Sequence, residues 1–155
     1  KVTQIMTPRV VVTSINENLN LKDFKQNKKY LNFSRIPTYS KEHEKITGYI
    51  FIQDILQKLS EQANNNLLVK KFKRNVLTIP SSITLYSLWE KMLERKEHIS
   101  IVVDEYGGLA GIVTMEDIIE TLIGLEITDE NDTIIDMQKY AKKKWENKQN
   151  TSSKF

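Results

Sequence analysis

A segment in the first half of this 155-residue chain, Gly48-Tyr-Ile-Phe-Ile-Gln-Asp54, returns further on as Gly111-Ile-Val-Thr-Met-Glu-Asp117. The two glycines stand 63 positions apart, and so do the two aspartates. Read backwards without a gap, Arg35-Ile36-Pro37-Thr38-Tyr39 falls over His98-Ile99-Ser100-Ile101-Val102. Further back, Ile15 and Leu21 fall over Ile79 and Leu85 at an offset of 64, which places a one-residue gap between the two blocks. A period this long means two copies of one supersecondary unit, neither able to bury its apolar face alone. Function is therefore expected in the cleft between the copies and in what differs between them.

The second copy has the cleaner pattern. Val76–Ile79 is expected to form a short strand stopped by Pro80, with Ser81 or Ser82 able to cap the following helix. Leu85, Leu88, Trp89, Met92 and Leu93 then fall on one face of a helix ending near Lys96. Ile99–Val103 has the composition of a buried strand, Asp104-Glu-Tyr-Gly-Gly108 of a turn, and Leu109–Val113 of the returning strand. A last helix is expected from Asp117 to Ile123, with Gly124 as its stop. The first copy repeats the order: strand Val10–Ile15, helix Leu19–Gln26, strand Ile36–Tyr39, strand Ile46–Ile52 and helix Asp54–Leu59. Pro37, which has no N–H for a ladder bond, is expected at a strand edge. Beyond Gly124, the acidic stretch Asp129-Glu-Asn-Asp132 leads into an expected helix, Ile134 to about Trp145, and a frayed tail, Asn150–Phe155.

Several classes of function find no support. The chain has no cysteine, so disulfides, thiolate metal sites and cysteine nucleophiles are excluded. Its two histidines, His43 and His98, lack metal-ligand spacing, and Asp129, Glu130, Asp132 and Asp136 lack the glycine and terminal glutamate of a calcium loop. There is no nucleophile-elbow serine and no Gly-x-x-x-x-Gly-Lys phosphate loop, so no enzyme activity and no metal site are expected. The net charge of +3 comes mainly from Lys70, Lys71, Lys73 and Arg74 and from lysines 139–148, with no aromatics interleaved in a stacking pattern, so no nucleic-acid partner is expected. No stretch approaches the roughly 18–20 apolar residues that cross a bilayer. The start at Lys1, running at once into Ile5-Met-Thr-Pro-Arg9, suggests a piece of a longer protein.

Strand, helix, strand, strand, helix, twice over, with Gly-x-x-Thr-x-x-Asp closing a copy, resembles the CBS-domain pair known as a Bateman module. More narrowly, Ile5–Arg9, Ser34-Arg-Ile-Pro37 and above all Val103–Glu120 resemble the CorC/HlyC-type, hemolysin-related membrane proteins linked to magnesium and cobalt efflux. The resemblance covers residues 5–124 and implies an α/β (α+β) fold of tandem CBS repeats with pseudo-two-fold symmetry. Its parts would be repeat 1 over 5–62, a linker over 63–75, repeat 2 over 76–124 and a partly helical extension over 125–155. It also implies a transmembrane domain in the parent chain, a place at the cytoplasmic face of the membrane, a homodimer formed through the CBS helices, and a regulatory adenine nucleotide. That nucleotide would be AMP or ATP, with or without Mg2+.

In such pairs the Thr-x-x-Asp motif holds the ribose, which points to Thr114 and Asp117. A carboxylate in the first turn of a helix can accept bonds from both hydroxyls of a vicinal diol, and the threonine hydroxyl adds another. The same four residues also make a helix-capping arrangement, in which both side chains serve the backbone. The resemblance favours ribose binding. By the same resemblance, Arg35 is the candidate phosphate contact, suited by its two parallel donors; a surface ion pair with Glu42 or Glu44 is the competing reading. Thr78, Ile79, Pro80 and Ile112 match positions that frame the adenine, and core packing is preferred for Ile112. In repeat 1, Asp54 survives as a possible second site, but Phe51 replaces the threonine and is expected to pack in the core rather than stack on a base. Two functional readings follow: a nucleotide-sensing module that regulates a divalent-cation transport domain, and a structural dimerisation module whose sites are degenerate.

Overall fold

A computed structural model of the chain describes residues 1–61 and 66–131, the last seven of these as backbone only. Gln62–Asn65, Asp132, Asp136, the expected helix from Ile134 and the tail all lie outside the described residues. Lys1–Ile118 form one unit, and residues from Ile119 onward form a second, whose described part continues a helix.

The strands are β1 (Thr7–Pro8), β2 (Ile15–Asn16), β3 (Arg35–Tyr39), β4 (Ile46–Phe51), β5 (Leu77–Pro80), β6 (Ile99–Val103) and β7 (Leu109–Thr114). The helices are α1 (Leu21–Gln26), α2 (Ile52–Ser60), α3 (Leu85–Arg95) and α4 (Met115–Asn131). They form two sheets: β2-β3-β4, with β2-β3 parallel and β3-β4 antiparallel, and β1-β7-β6-β5, with β1-β7 and β7-β6 antiparallel and β6-β5 parallel. The α/β repeat expected from the sequence is therefore present, one sheet per copy. Ile15, Leu21, Phe24, Ile36, Ile50, Ile52, Ile55 and Val69 make the first core. Leu88, Met92, Ile99, Ile101, Val113 and Ile118 are as fully buried around the second sheet. Each such side chain contributes about 1.5–3 kcal/mol by leaving water.

The chain is exchanged between the copies at both crossings. β1, the first strand of the chain, pairs with β7 in the far sheet, Thr7 opposite Ile112 and Pro8 opposite Gly111. Arg74, just before the second copy, pairs with Tyr49 of the near sheet through N–H···O=C bonds of 2.8 and 3.0 Å. Both repeat glycines face these crossing segments. A Cβ on Gly48 would collide with the Arg74 carbonyl oxygen, and one on Gly111 with that of Thr7. Glycine is required at both sites because another backbone passes too close for a side chain. Leu67–Arg74 are accordingly packed on the first sheet, with Val69 in its core.

The hairpin bonds move the repeat's gap. The Ile52 N–H donates to the Ser34 carbonyl (2.9 Å) and the Met115 N–H to the His98 carbonyl (3.0 Å), so Ser34 is the counterpart of His98 and Arg35 that of Ile99. The parallel pairs agree, Ile15 with Thr38 and Ile79 with Val102. The offset of 64 thus holds through β3 and β6, and the gap lies in the hairpin turns rather than ahead of Arg35 as the gapless alignment had it. A second length difference lies upstream: Thr7 corresponds to Arg74 at an offset of 67, so three extra residues sit between β1 and β2.

Those extra residues explain one missed element. The strand expected over Val10–Ile15 is a single 3-10 turn, Arg9–Val11, followed by the two-residue β2. Pro37 sits in the middle strand of its sheet, not at an edge. Its partner Tyr49 turns its N–H and C=O towards Arg74, so the missing Pro37 donor faces the other side, short of where β2 begins to pair. Neither Ser81 nor Ser82 caps α3; Thr84 does, accepting the Ser87 N–H at 3.1 Å. The Ser81 amide is still tied to Val103 at 2.9 Å, so the helix cannot start earlier. Asn20, the counterpart of Thr84, caps α1 in the same way. Finally, α4 begins at Met115 and runs through Gly124 to Asn131. Gly124 does not stop it, because a glycine ends a helix by turning left-handed, and only Gly107 among the described glycines has positive φ, 80°.

Candidate functional site

A cleft of about 410 Å³ opens where the two copies meet, within the Lys1–Ile118 unit. Its second-copy wall is the end of β7 and the start of α4, carrying Ile112, Thr114, Glu116 and Asp117. Its first-copy wall comes from two stretches: Val11-Val12-Thr13, in the longer crossing loop, and Asn32 to Arg35, at the entry to β3. Thr7 from β1 lies at the seam. The crossing of β1 is what brings these together, since it carries the residues after it across to the second sheet.

Thr114 is the N-cap of α4 and Asp117 its third residue. The Thr114 N–H and hydroxyl both donate to Asp117 Oδ2, at 2.8 and 2.7 Å, while the Asp117 N–H donates back to Thr114 Oγ1 at 3.3 Å. The capping arrangement anticipated from the sequence is therefore formed. It satisfies two orphan donors of the first turn and at the same time fixes the carboxylate at the cleft wall. A carboxylate has about four acceptor positions, so capping and binding a diol are compatible duties.

Arg35 lines the same cleft. Glu42 pairs with Lys45 and Glu44 with Arg9, so the surface ion pair considered for Arg35 is not made. Its guanidinium carbon instead lies 5.0 Å from the centroid of Phe51, directly opposite it on β4. A cation over an aromatic face at this distance is attracted by the ring quadrupole. Phe51 is accordingly half-buried and outside the core cluster, which corrects the core-packing expectation.

The other candidates lie elsewhere. Thr78, Ile79 and Pro80 lie in β5, at the opposite edge of the second sheet from β1, and do not line this cleft; Ile79 is buried in the core. Their counterparts by the pairing register, Ser14 to Asn16, stand next to the Val11–Thr13 wall. The exchange of strands thus hands each copy's leading segment to the other copy's motif. Asp54 lies in the first turn of α2, where its carboxylate takes the Arg74 guanidinium at 2.5 Å. That bond pushes the Arg74 pKa above its ordinary value. Ser34 and Glu116 line the cleft without being singled out by motif reasoning, and His98, aligned with Arg35 and expected at the other site, lines this same cleft. The signal for His98 and Ser34 was the displaced gap, which makes them equivalent residues at the mouths of β6 and β3.

In chemical terms the cleft offers apolar walls (Val11, Val12, Phe33, Ile112), a fixed carboxylate with an adjacent hydroxyl, and a guanidinium with a nearby imidazole. Its volume falls in the range of about 300–1,000 Å³ typical of small-molecule sites. The flat faces of an aromatic heterocycle, a vicinal diol and an anionic tail match that set.

Comparison with known proteins agrees with the architecture. A family model described as CBS domain matches residues 69–124. The chain is 37% identical over 135 residues to hemolysin C of Brachyspira hyodysenteriae, covering 84% of this chain and 47% of that protein. It is 34% identical over 140 residues to a UPF0053 protein of Synechocystis sp., covering 90% of this chain and 40% of the relative. The chain thus spans less than half the length of these relatives. Among solved structures it is similar to the CBS domain of a bacterial CNNM/CorC family Mg2+ transporter in complex with ATP. That likeness has a TM-score of 0.73 and 34% identity, and covers 79% of this chain and 87% of the other.

Proposed function

We propose, from the premise that this chain belongs to the CBS domains of the CNNM/CorC family, that it is an adenine-nucleotide-sensing module controlling a membrane-embedded divalent-cation transport domain of its parent protein. The reading is supported first by one observation: Thr114 and Asp117 of the second copy and Arg35 of the first line a single cleft. In this reading Asp117 and Thr114 hold the ribose, Arg35 the phosphates with His98 beside it, and Ile112 with Val11 and Val12 the base. The ATP complex of the similar CBS domain supports the choice of ligand class.

A ligand gripping both copies makes the link between them part of its binding energy. It favours whichever arrangement of the copies brings Arg35 and Asp117 to the right separation, and only that difference in affinity can drive a switch. The soluble module would sit at the cytoplasmic face of the membrane and associate as a homodimer through its helices, where Leu56, Tyr86 and Leu93 are exposed.

One observation favours the second reading, a dimerisation scaffold: Thr114 and Asp117 bond to each other as a helix cap of α4, a duty that needs no ligand. A thermal-shift screen with AMP, ADP and ATP, each with and without magnesium, separates the two. A nucleotide at 100 times its Kd stabilises by about 2.7 kcal/mol, a rise of roughly 5–10 °C for a chain of this size. No shift at millimolar nucleotide would leave the scaffold.

A further inference from the structure

The exchange of strands sets Thr7 and Arg74 at equivalent places, one beside each motif. Thr7 pairs opposite Ile112 and lines the same cleft as Asp117. Arg74 pairs with Tyr49, the counterpart of Ile112, and its guanidinium takes the Asp54 carboxylate at 2.5 Å. The motif residues differ in the same sense: Thr114 gives Asp117 a hydroxyl bond of 2.7 Å, whereas Phe51 gives Asp54 nothing. The Arg74 guanidinium carbon also lies 5.5 Å from the Phe51 centroid, on a ring that already carries Arg35 at 5.0 Å.

We propose that Arg74 is a tethered internal ligand of the second half-site, seated on Asp54 and Phe51, and that this seat is what restricts the chain to one nucleotide. The inference deepens the function proposed above and rests on it for the chemistry of the carboxylate. Asp54 stands where a ribose diol would donate, and the guanidinium supplies the donors that a diol would bring. A free ligand must displace a group held in place by two backbone bonds to Tyr49, with no cost of association to the chain itself. Phe51 takes part in two ways. It removes the hydroxyl that would compete for Asp54, and its ring holds Arg74 there while keeping Arg35 at the mouth of the working cleft. The asymmetry is thus carried by two substitutions, Phe51 for threonine and Arg74 for threonine, set against Thr114 and Thr7.

The test rebuilds the missing pair. Phe51→Thr/Arg74→Thr, titrated with AMP in a calorimeter, is expected to bind two nucleotides per chain where the wild type binds one. Adding Asp117→Ala to the double variant is expected to leave one, and adding Asp54→Ala instead is expected to leave one as well. A folded double variant that gains no site overturns the inference while the Thr114–Asp117 reading stands. If the wild type binds no AMP, that reading fails, and the double variant must still gain one site for the inference to hold. Should the double variant not fold, Arg74→Thr alone, at an exposed side chain, is followed by amide NMR. The signals of Ile52–Asp54 are expected to move with millimolar AMP in the variant and not in the wild type, and equal behaviour of the two overturns the inference.

Discussion

Gly111→Ala puts one methyl group into the contact on which the strand exchange depends. The new Cβ would overlap the Thr7 carbonyl oxygen and stand 3.0 Å from Met6 Sδ and 3.2 Å from Met6 Cγ. A methionine side chain can rotate away, but a carbonyl in a ladder cannot, so β1 must shift off β7. β1 is only two residues long and pairs at Thr7 and Pro8 alone, so little holds it against the push. Overpacking of this kind costs about 1–3 kcal/mol. Taking about 2 kcal/mol, the midpoint of thermal unfolding should fall by roughly 4–8 °C for about 150 residues. Gly48→Ala should cost a similar amount, because its Cβ meets the Arg74 carbonyl and the Lys73 Cγ at 2.8 Å, and Lys73 is pinned by its 2.7 Å bond to Glu17. The two variants should differ in consequence: Thr7 lines the nucleotide cleft, so only Gly111→Ala should also weaken ligand binding. Circular-dichroism melts of both variants and the wild type would decide it. Midpoints within about 1 °C of wild type would show that the crossing segments do not pass as close as described.

Gly124→Ala should act oppositely, since its Cβ meets nothing within 4 Å in a helix interior, and should stabilise α4 by about 0.5–1 kcal/mol, seen as added helical signal. Glu17 accepts from Lys73 and from Thr47, both at 2.7 Å, and these bonds, Lys73's first, hold its carboxyl below the ordinary 4.5. A lowered folded pKa means this stability is complete above the unfolded pKa and is lost as pH falls through the folded one, so Glu17→Gln should cost about 1.5–3 kcal/mol near neutrality and progressively less below pH 4.5 in denaturant titrations. A deficit independent of pH would remove the carboxylate from the account. Arg35→Lys should weaken a nucleotide's phosphate contribution while leaving adenosine binding unchanged, because lysine lacks the two parallel donors and the flat face over Phe51. Equal losses for AMP and adenosine would assign Arg35 to the base or ribose instead.

The fold was legible because the repeat is carried by residues with strict backbone duties. Gly48 and Gly111 admit the crossing chains, and the apolar residues Ile36, Ile99, Ile101 and Val102 must be buried, so pattern and architecture coincide. Thr114 and Asp117 were legible because cap and motif are the same four residues. What escaped were the consequences of strand exchange. The resemblance assigns Thr78–Pro80 to the site of Thr114, whereas the topology gives that cleft Val11–Thr13, 67 positions nearer the start (78 − 11), which no local pattern indicates. The gap was misplaced because Arg35 and His98 are both basic and align without cost; only the hairpin bonds of Ser34 and His98 show otherwise. The Arg74–Asp54 pair was invisible for the same reason, as it joins a residue of the basic run to an acid twenty positions away through a backbone crossing.

The central claim is that one adenine nucleotide binds across the copies with Asp117 at its ribose. Isothermal titration of ATP and AMP into the wild type and into Asp117→Ala and Asp117→Asn tests it most directly, the asparagine keeping an oxygen for the cap. The account predicts one site per chain and a loss of about 1.5–3 kcal/mol in Asp117→Ala, roughly 10–150-fold in Kd, with a substantial loss in the folded asparagine variant as well. Unchanged affinity in both variants would contradict it, and would leave Thr114 and Asp117 as a helix cap alone.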